Sequence, residues 1–253
     1  MAKRLVVGNW KLNLGPATGL SLVEEFLAEN PPLCDVNAAF CVPFPLLSPL
    51  HDAILQSGMG LGAQDVFWKA SGAFTGFVSA GMLKEIGVTH VIIGHSERRG
   101  RFGKLEVEEA DLPFFGETDR TVNLKTRAVL EAGLVPIVCV GETLDEREAG
   151  KTDDVIRTQI RGALEGIESF TGVFAYEPVW AIGTGKTCDA AEAARVCALV
   201  TEAARGARTL YGGSVSASNA AELFSHDSIA GGLVGGASLK AKDFAAIVSA
   251  AKS

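Results

Sequence analysis

Apolar residues in this chain fall into short unbroken runs, separated by longer segments with helical spacing. Leu5–Gly8, Ala38–Val42, Val91–Gly94, Val135–Val140, Val173–Tyr176 and Ile229–Val234 read as strands, with weaker runs at Gly58–Ala63 and Thr209–Tyr211. Runs that are apolar throughout, without alternation, belong to strands covered on both faces, as in a parallel sheet. Segments such as Gly19–Leu27 and Asp119–Glu131 carry apolar residues at helical intervals and are long enough to act as crossovers. Eight such units in 253 residues predict an α/β fold, a (β/α)8 barrel forming one domain over residues 1–253. An open doubly wound sheet is the alternative.

Composition narrows the picture little but usefully. At 47% hydrophobic and 21% charged, with no low-complexity run or charge block, the chain reads as one globular unit with a large core. A net charge of −7 argues against nucleic acid as a partner, so an anionic small molecule needs a local cationic site. The five cysteines are odd in number and none pair at C-x-x-C spacing, which predicts neither a zinc site nor a disulfide framework. No signal-like leader and no apolar stretch of about 18 residues occurs, so no membrane is expected and a reducing, cytoplasmic setting is.

Polar residues gather just after the strand runs: Asn9 and Lys11, His95 to Glu97, Glu142, Glu177, Ser214, and Gly235-Gly236. In a barrel these positions converge on the one face that carries catalytic loops. The stretch from Tyr176 to Thr187 is the most informative. A carboxylate (Glu177) ends an apolar strand, Pro178 stiffens the exit, and Val179, Trp180, Ala181 and Ile182 are too apolar for a loop with nothing to cover. A Gly-rich tail follows, giving a lid over 178–188 with one stiff and one flexible end. Gly183-Thr184-Gly185-Lys186-Thr187 is no nucleotide loop, because the first glycine of that pattern would fall at Trp180.

Several motifs then match one family in order. They are Gly8-Asn9-Trp10-Lys11, Gly94-His95-Ser96-Glu97-Arg98-Arg99, Cys139-Val140-Gly141-Glu142-Thr143-Leu144, the lid segment, Tyr211-Gly212-Gly213-Ser214-Val215, and Leu233-Val234-Gly235-Gly236-Ala237-Ser238-Leu239. Across its whole length the chain resembles the triosephosphate isomerases. The resemblance implies cofactor-independent, metal-free interconversion of glyceraldehyde 3-phosphate and dihydroxyacetone phosphate through an enediolate. It assigns Glu177 as base, His95 as electrophile and Lys11 as the cation on the substrate oxygens, with Asn9 and Glu97 in support. Ser96 is expected to hold Glu177 at rest, and a helix starting at Ser96-Glu97-Arg98 to keep the His95 ring neutral. Gly183, Ser214, Gly235 and Gly236 are the expected phosphate contacts, along with Gly212-Gly213. Ile182 and Leu233 are expected to clamp apolar surface around the base, and Tyr211 and Ser214 to latch the lid. The resemblance also implies a homodimer through residues 64–79, with Thr75 reaching Asn9 and His95 of the partner subunit.

The chain departs from the family pattern in three places. Phe102-Gly103 is repeated as Phe115-Gly116-Glu117, so about 13 residues are inserted within 100–115; the insert carries Glu106, Glu108, Glu109, Asp111, Phe114 and Phe115. Phe77 stands where the family has a glutamate that pairs across the dimer with the counterpart of Arg98, which suggests that an acidic residue of the insert takes over Arg98 while Phe77 packs apolar surface. Thr201 and Ala230 replace a family Arg–Asp pair. Two other readings compete with the leading one. Another sugar-phosphate isomerase or epimerase on this fold would need clustered metal ligands in its metal-dependent forms, and the four histidines show no cluster. A non-catalytic binding protein should have lost Glu177, His95 or Lys11.

Overall fold

Alternate residues of each strand face two different apolar environments, and this sets the architecture. In the computed structural model, which describes residues 3–104 and 107–252, Leu5 and Val7 point into an inner cluster with Ala39, Cys41, Ile92, Ile137, Cys139, Val173, Ala175, Leu210 and Leu233. Val6, Phe40, Val91, Val138 and Phe174 point outward into the larger layer under the helices. Both faces are dry, which is why the strands are apolar throughout.

The strands are β1 (Leu5–Asn9), β2 (Asn37–Val42), β3 (Gly60–Ala63), β4 (His90–Ile93), β5 (Val135–Val140), β6 (Val173–Tyr176), β7 (Thr209–Tyr211) and β8 (Gly231–Val234). They pair in chain order, all parallel, and β8 pairs with β1 to close the barrel. The open-sheet alternative is thereby overturned. Strand ends differ from expectation where backbone geometry intervenes. Gly94 has φ +70° and leaves β4, turning the chain toward His95. Ile229 and Ala230 precede β8, and Gly58 and Met59 precede β3.

The longer crossovers are α1 (Pro16–Ala28), α2 (Phe44–Gln56), α4 (Asp119–Glu131), α6 (Thr152–Ala163), α7 (Ala190–Ala203) and α9 (Ala241–Ala250), with short helices α3 (Ala80–Glu85), α5 (Leu144–Glu148) and α8 (Ala220–Phe224) between them. The predicted helix at Asp119–Glu131 coincides with α4. Its start is fixed by Thr118, whose hydroxyl accepts from the Thr121 N–H. Helix α1 begins three residues before the predicted Gly19, at Pro16, where a fixed φ and a missing N–H cost nothing.

Between β4 and α4 the chain makes a long excursion whose two ends meet. Glu117 N donates to the Arg98 carbonyl (3.1 Å), and Gly100, at φ +68°, lies against the Phe115 carbonyl. A 3-10 turn occupies Glu109–Phe115 on the return. Of the acidic residues expected in the insert, Glu106 lies outside the described residues.

The expectation for Arg98 is corrected. Its guanidinium donates to Asp65 (2.8 Å), just past β3, and no described residue of the insert pairs with it. Asp65 is already held there by the buried Lys125, which also pairs with Glu117, so the acid nearest in space outcompetes the acids nearest in sequence. Phe77 stacks on Phe67 at 4.3 Å and stays 56% exposed. At the third departure, the Thr201 hydroxyl hydrogen-bonds that of Thr209 (2.8 Å), and Arg208 donates to the Ala230 carbonyl (3.2 Å). Thr201 and Ala230 are thus each engaged in a hydrogen bond, with no ion pair between them.

Candidate active site

The C-terminal ends of the strands surround a cavity of about 760 Å³. Asn9, Lys11, His95, Ser96, Glu97, Glu177, Ile182, Gly183, Ser214, Leu233, Gly235 and Gly236 all line it. Tyr211 sits below, 1% exposed, its hydroxyl facing the Cys188 thiol. Residues 226 positions apart in sequence, Asn9 and Gly235, are brought together because β1 and β8 are neighbours in the closed barrel.

Glu177 follows β6 directly and is 1% exposed. One carboxylate oxygen accepts from the Ser96 N–H at 2.9 Å, and the other lies 2.8 Å from His95 Nε2. Gly141 explains how the strand end fits: a Cβ there would fall 1.7 Å from the Glu177 carbonyl, so only glycine lets β5 and β6 approach this closely. Burial by itself raises a carboxyl pKa. Here the His95 ring, the Ser96 N–H and Lys11 outweigh burial and hold Glu177 below the usual carboxylate range.

His95 feels the mirror image. Burial disfavours its cation, but the Glu177 and Glu97 carboxylates prevail and raise its pKa above the ordinary histidine value. The Glu97 N–H points at Nδ1 (3.3 Å), so that nitrogen is the acceptor and the ring proton sits on Nε2, facing Glu177. The helix expected at Ser96 is instead a hydrogen-bonded turn. Arg98 and Arg99 N–H groups bond the His95 carbonyl, and the positive φ of Gly100 prevents any continuation. A macrodipole is therefore absent, and single N–H groups of Ser96 and Glu97 do the local work.

Lys11 occupies the left-handed region with φ +52°. Its N–H donates to Asn9 Oδ1 (3.1 Å), its carbonyl accepts from Gln64 Nε2 (3.0 Å), and its ammonium pairs with Glu97. Strain of this kind persists only where neighbours over-determine it. Gly235 lies close by, its would-be Cβ 3.7 Å from Lys11 Cε. The lid segment opens with a 3-10 turn (Val179–Ala181). Trp180 Nε1 donates to the buried carboxylate of Glu142 (2.8 Å), which also accepts from Tyr176 (3.1 Å), and Arg147 lies over the Trp180 ring at 4.4 Å. Burial raises the Glu142 pKa, while those donors and Arg147 pull against it. Ser214 Oγ donates to the Ala181 carbonyl (3.1 Å).

The sequence profile of the triosephosphate isomerase family matches residues 4–251. The chain belongs to the triosephosphate isomerase family. It is 47% identical to the triosephosphate isomerase of Prosthecochloris aestuarii over 265 aligned positions, covering 100% of this chain and 99% of that protein. It is 47% identical to the enzyme of Herminiimonas arsenicoxydans, covering 99% and 100%. The crystal structure of triosephosphate isomerase from Bartonella henselae superimposes with a TM-score of 0.82 at 38% identity, covering 98% of this chain and 99% of that one.

Within this triosephosphate isomerase fold, three residues near the site carry contacts that the sequence motifs did not announce. Gln64 bonds the carbonyls of both Lys11 and Cys41. Glu142 ties the lid to β5 and β6. Arg101, in the long excursion, donates to the Gly141 carbonyl (3.1 Å) and pairs with Glu146. Each acts across tens of residues, so only proximity in space reveals it; for Glu142, a carboxylate closing an apolar strand was the available signal.

Proposed function

We propose that Glu177 is the base of a triosephosphate isomerase, moving one proton between adjacent carbons of glyceraldehyde 3-phosphate and dihydroxyacetone phosphate. The contact of its carboxylate with His95 Nε2, in a cavity that also holds Lys11, carries this reading. Glu177 takes the proton beside the carbonyl, and the His95 Nε2–H donates to the oxygen as charge develops there. Lys11, with Asn9 and Glu97 holding it, neutralises the enediolate. When substrate draws Glu177 away from the ring, the field that raises the His95 pKa weakens, and burial and Lys11 push it down. His95 then acts as a neutral donor, the role described for this family.

Backbone N–H groups of Gly183, Gly235 and Gly236, with Ser214, would grip the phosphate. Closure of 178–188 brings Ile182 toward Leu233 and excludes water from the base. Tyr211 and Ser214 latch the lid once it has closed, Ser214 giving up its bond to the Ala181 carbonyl as the segment moves. No cofactor takes part in this reading. Assay of the metal-free protein with glyceraldehyde 3-phosphate, beside Glu177→Gln, tests it. Turnover should fall by about 10³-fold or more in the variant while affinity for inorganic phosphate stays near normal. Unchanged turnover would remove Glu177 from the role of base.

The protein works as a homodimer in the cytoplasm, joined through residues 64–79, with Thr75 entering the partner's site. An aromatic group within that segment supports this: Phe67 packs against Phe74 and Phe77, which remain 40% and 56% exposed. No described helix is long and apolar enough to cross a membrane.

A further inference from the structure

The excursion after Arg99 reaches across the cavity mouth and touches the lid. Arg101, Phe102, Gly103, Lys104, Val107 and Phe115 all face the same cavity as His95 and Glu177. Gly103 lies so close to the lid's first turn that a Cβ would fall 2.4 Å from both the Val179 and the Ile182 carbonyls, and 3.0 Å from Thr184 Cγ2. This segment is anchored to fixed parts of the barrel. Arg101 N donates to the Ser96 carbonyl (2.9 Å), and its guanidinium holds the Gly141 carbonyl and Glu146, between β5 and α6. The lid is less supported at its tip, between the ends held by β6 and the buried Cys188. Gly183 and Gly185 have positive φ, and a Cβ on either would meet nothing. One partner of the contact is therefore a platform and the other is the part expected to move.

The lid meets this platform while Glu177 is engaged with Ser96 and His95, which is a substrate-free arrangement. We propose that the segment around Gly103 is a rest for the open lid, and that Gly103 is a positioning residue setting the balance between resting and closed lid. The inference rests on 178–188 being the lid. A ligand that needs the closed lid binds with an affinity reduced by the fraction of protein that is closed. Contact with Gly103 deepens the resting state, so weakening it should tighten binding, where ordinary damage to the site would loosen it.

The test uses two variants of the full chain. Gly103→Ala sets a methyl against two lid carbonyls. Deletion of 102–114 joins Arg101 to Phe115, so that Arg99 is followed by two residues and then Phe-Gly-Glu, the family's spacing. Both are labelled with 5-fluorotryptophan, and the Trp180 resonance is assigned by Trp→Phe replacement at Trp10 and Trp68. The probe is 2-phosphoglycolate, a phosphorylated carboxylate resembling the enediolate. In the native chain the Trp180 signal should move on saturation; a signal that stays still would count against the lid itself. In a folded variant, the unliganded signal should lie part-way toward the saturated position and phosphoglycolate should bind three- to tenfold tighter. If Gly103→Ala does not fold, the deletion decides alone. A native signal that moves, with variants whose free signal and affinity are unchanged or whose affinity is weaker, would overturn the rest while leaving the lid intact.

Discussion

Lys11 shows how a few hydrogen bonds hold a side chain where the backbone alone would not. Its left-handed backbone is retained by Asn9 on one side and Gln64 on the other. Gln64→Ala removes the carbonyl's donor, and a strain of about 1–3 kcal/mol becomes free to relax. We expect KM to rise about tenfold, with little change in thermal stability, measured by steady-state kinetics beside a melting curve. His95 offers a second test. Its pKa is raised by Glu177 and Glu97 against burial, so Glu177→Gln should lower it, and ring NMR shifts followed against pH will show the direction. Linkage gives the same result in stability. The raised His95 contributes stability below its unfolded value near 6.5, lost as pH climbs through the folded one; the depressed Glu177 contributes above its unfolded value near 4.5, lost as pH falls. The pair helps most between those limits, so the melting temperature of Glu177→Gln should compare worst with the native chain's between about pH 4.5 and 6.5.

At the scale of elements, Glu142 is the joint between β5, β6 and the lid. Glu142→Ala strands the Trp180 and Tyr176 donors in a dry site, each at about 1–3 kcal/mol. The melting temperature should fall by several degrees, while Glu142→Gln, which keeps an acceptor, falls less. Much of this level was legible in the sequence. Val135–Val140, Val173–Tyr176 and Asp119–Glu131 have their predicted bounds because continuous apolarity and helical spacing are local properties. Motif residues such as His95 and Glu177 were legible too, since a strand end in a barrel can face only one place. The partner of Arg98 was not, because Asp65 lies 33 residues away and is chosen by the position of Lys125. Nor was the excursion's path toward the lid, which depends on where Arg101 finds acceptors.

For the molecule as a whole, the proposed homodimer would seat a second copy on the aromatic group of residues 67–77. Sedimentation should give twice the chain mass of 26.4 kDa, and Phe77→Lys, which sets a charge among Phe67 and Phe74, should weaken association at least tenfold. A monomeric native chain at micromolar concentration would argue against the dimer. The barrel also has a polarity that matters beyond catalysis. All strand C-termini open on one mouth, whereas Cys34 lies between the end of α1 and the start of β2, at the opposite face, and is exposed while Cys41, Cys139, Cys188 and Cys197 are buried. A maleimide should therefore find one thiol per chain, leaving the buried four untouched in the folded protein. Bound to glass or an electrode through that sulfur, each molecule would present its lid to the solution in a common orientation.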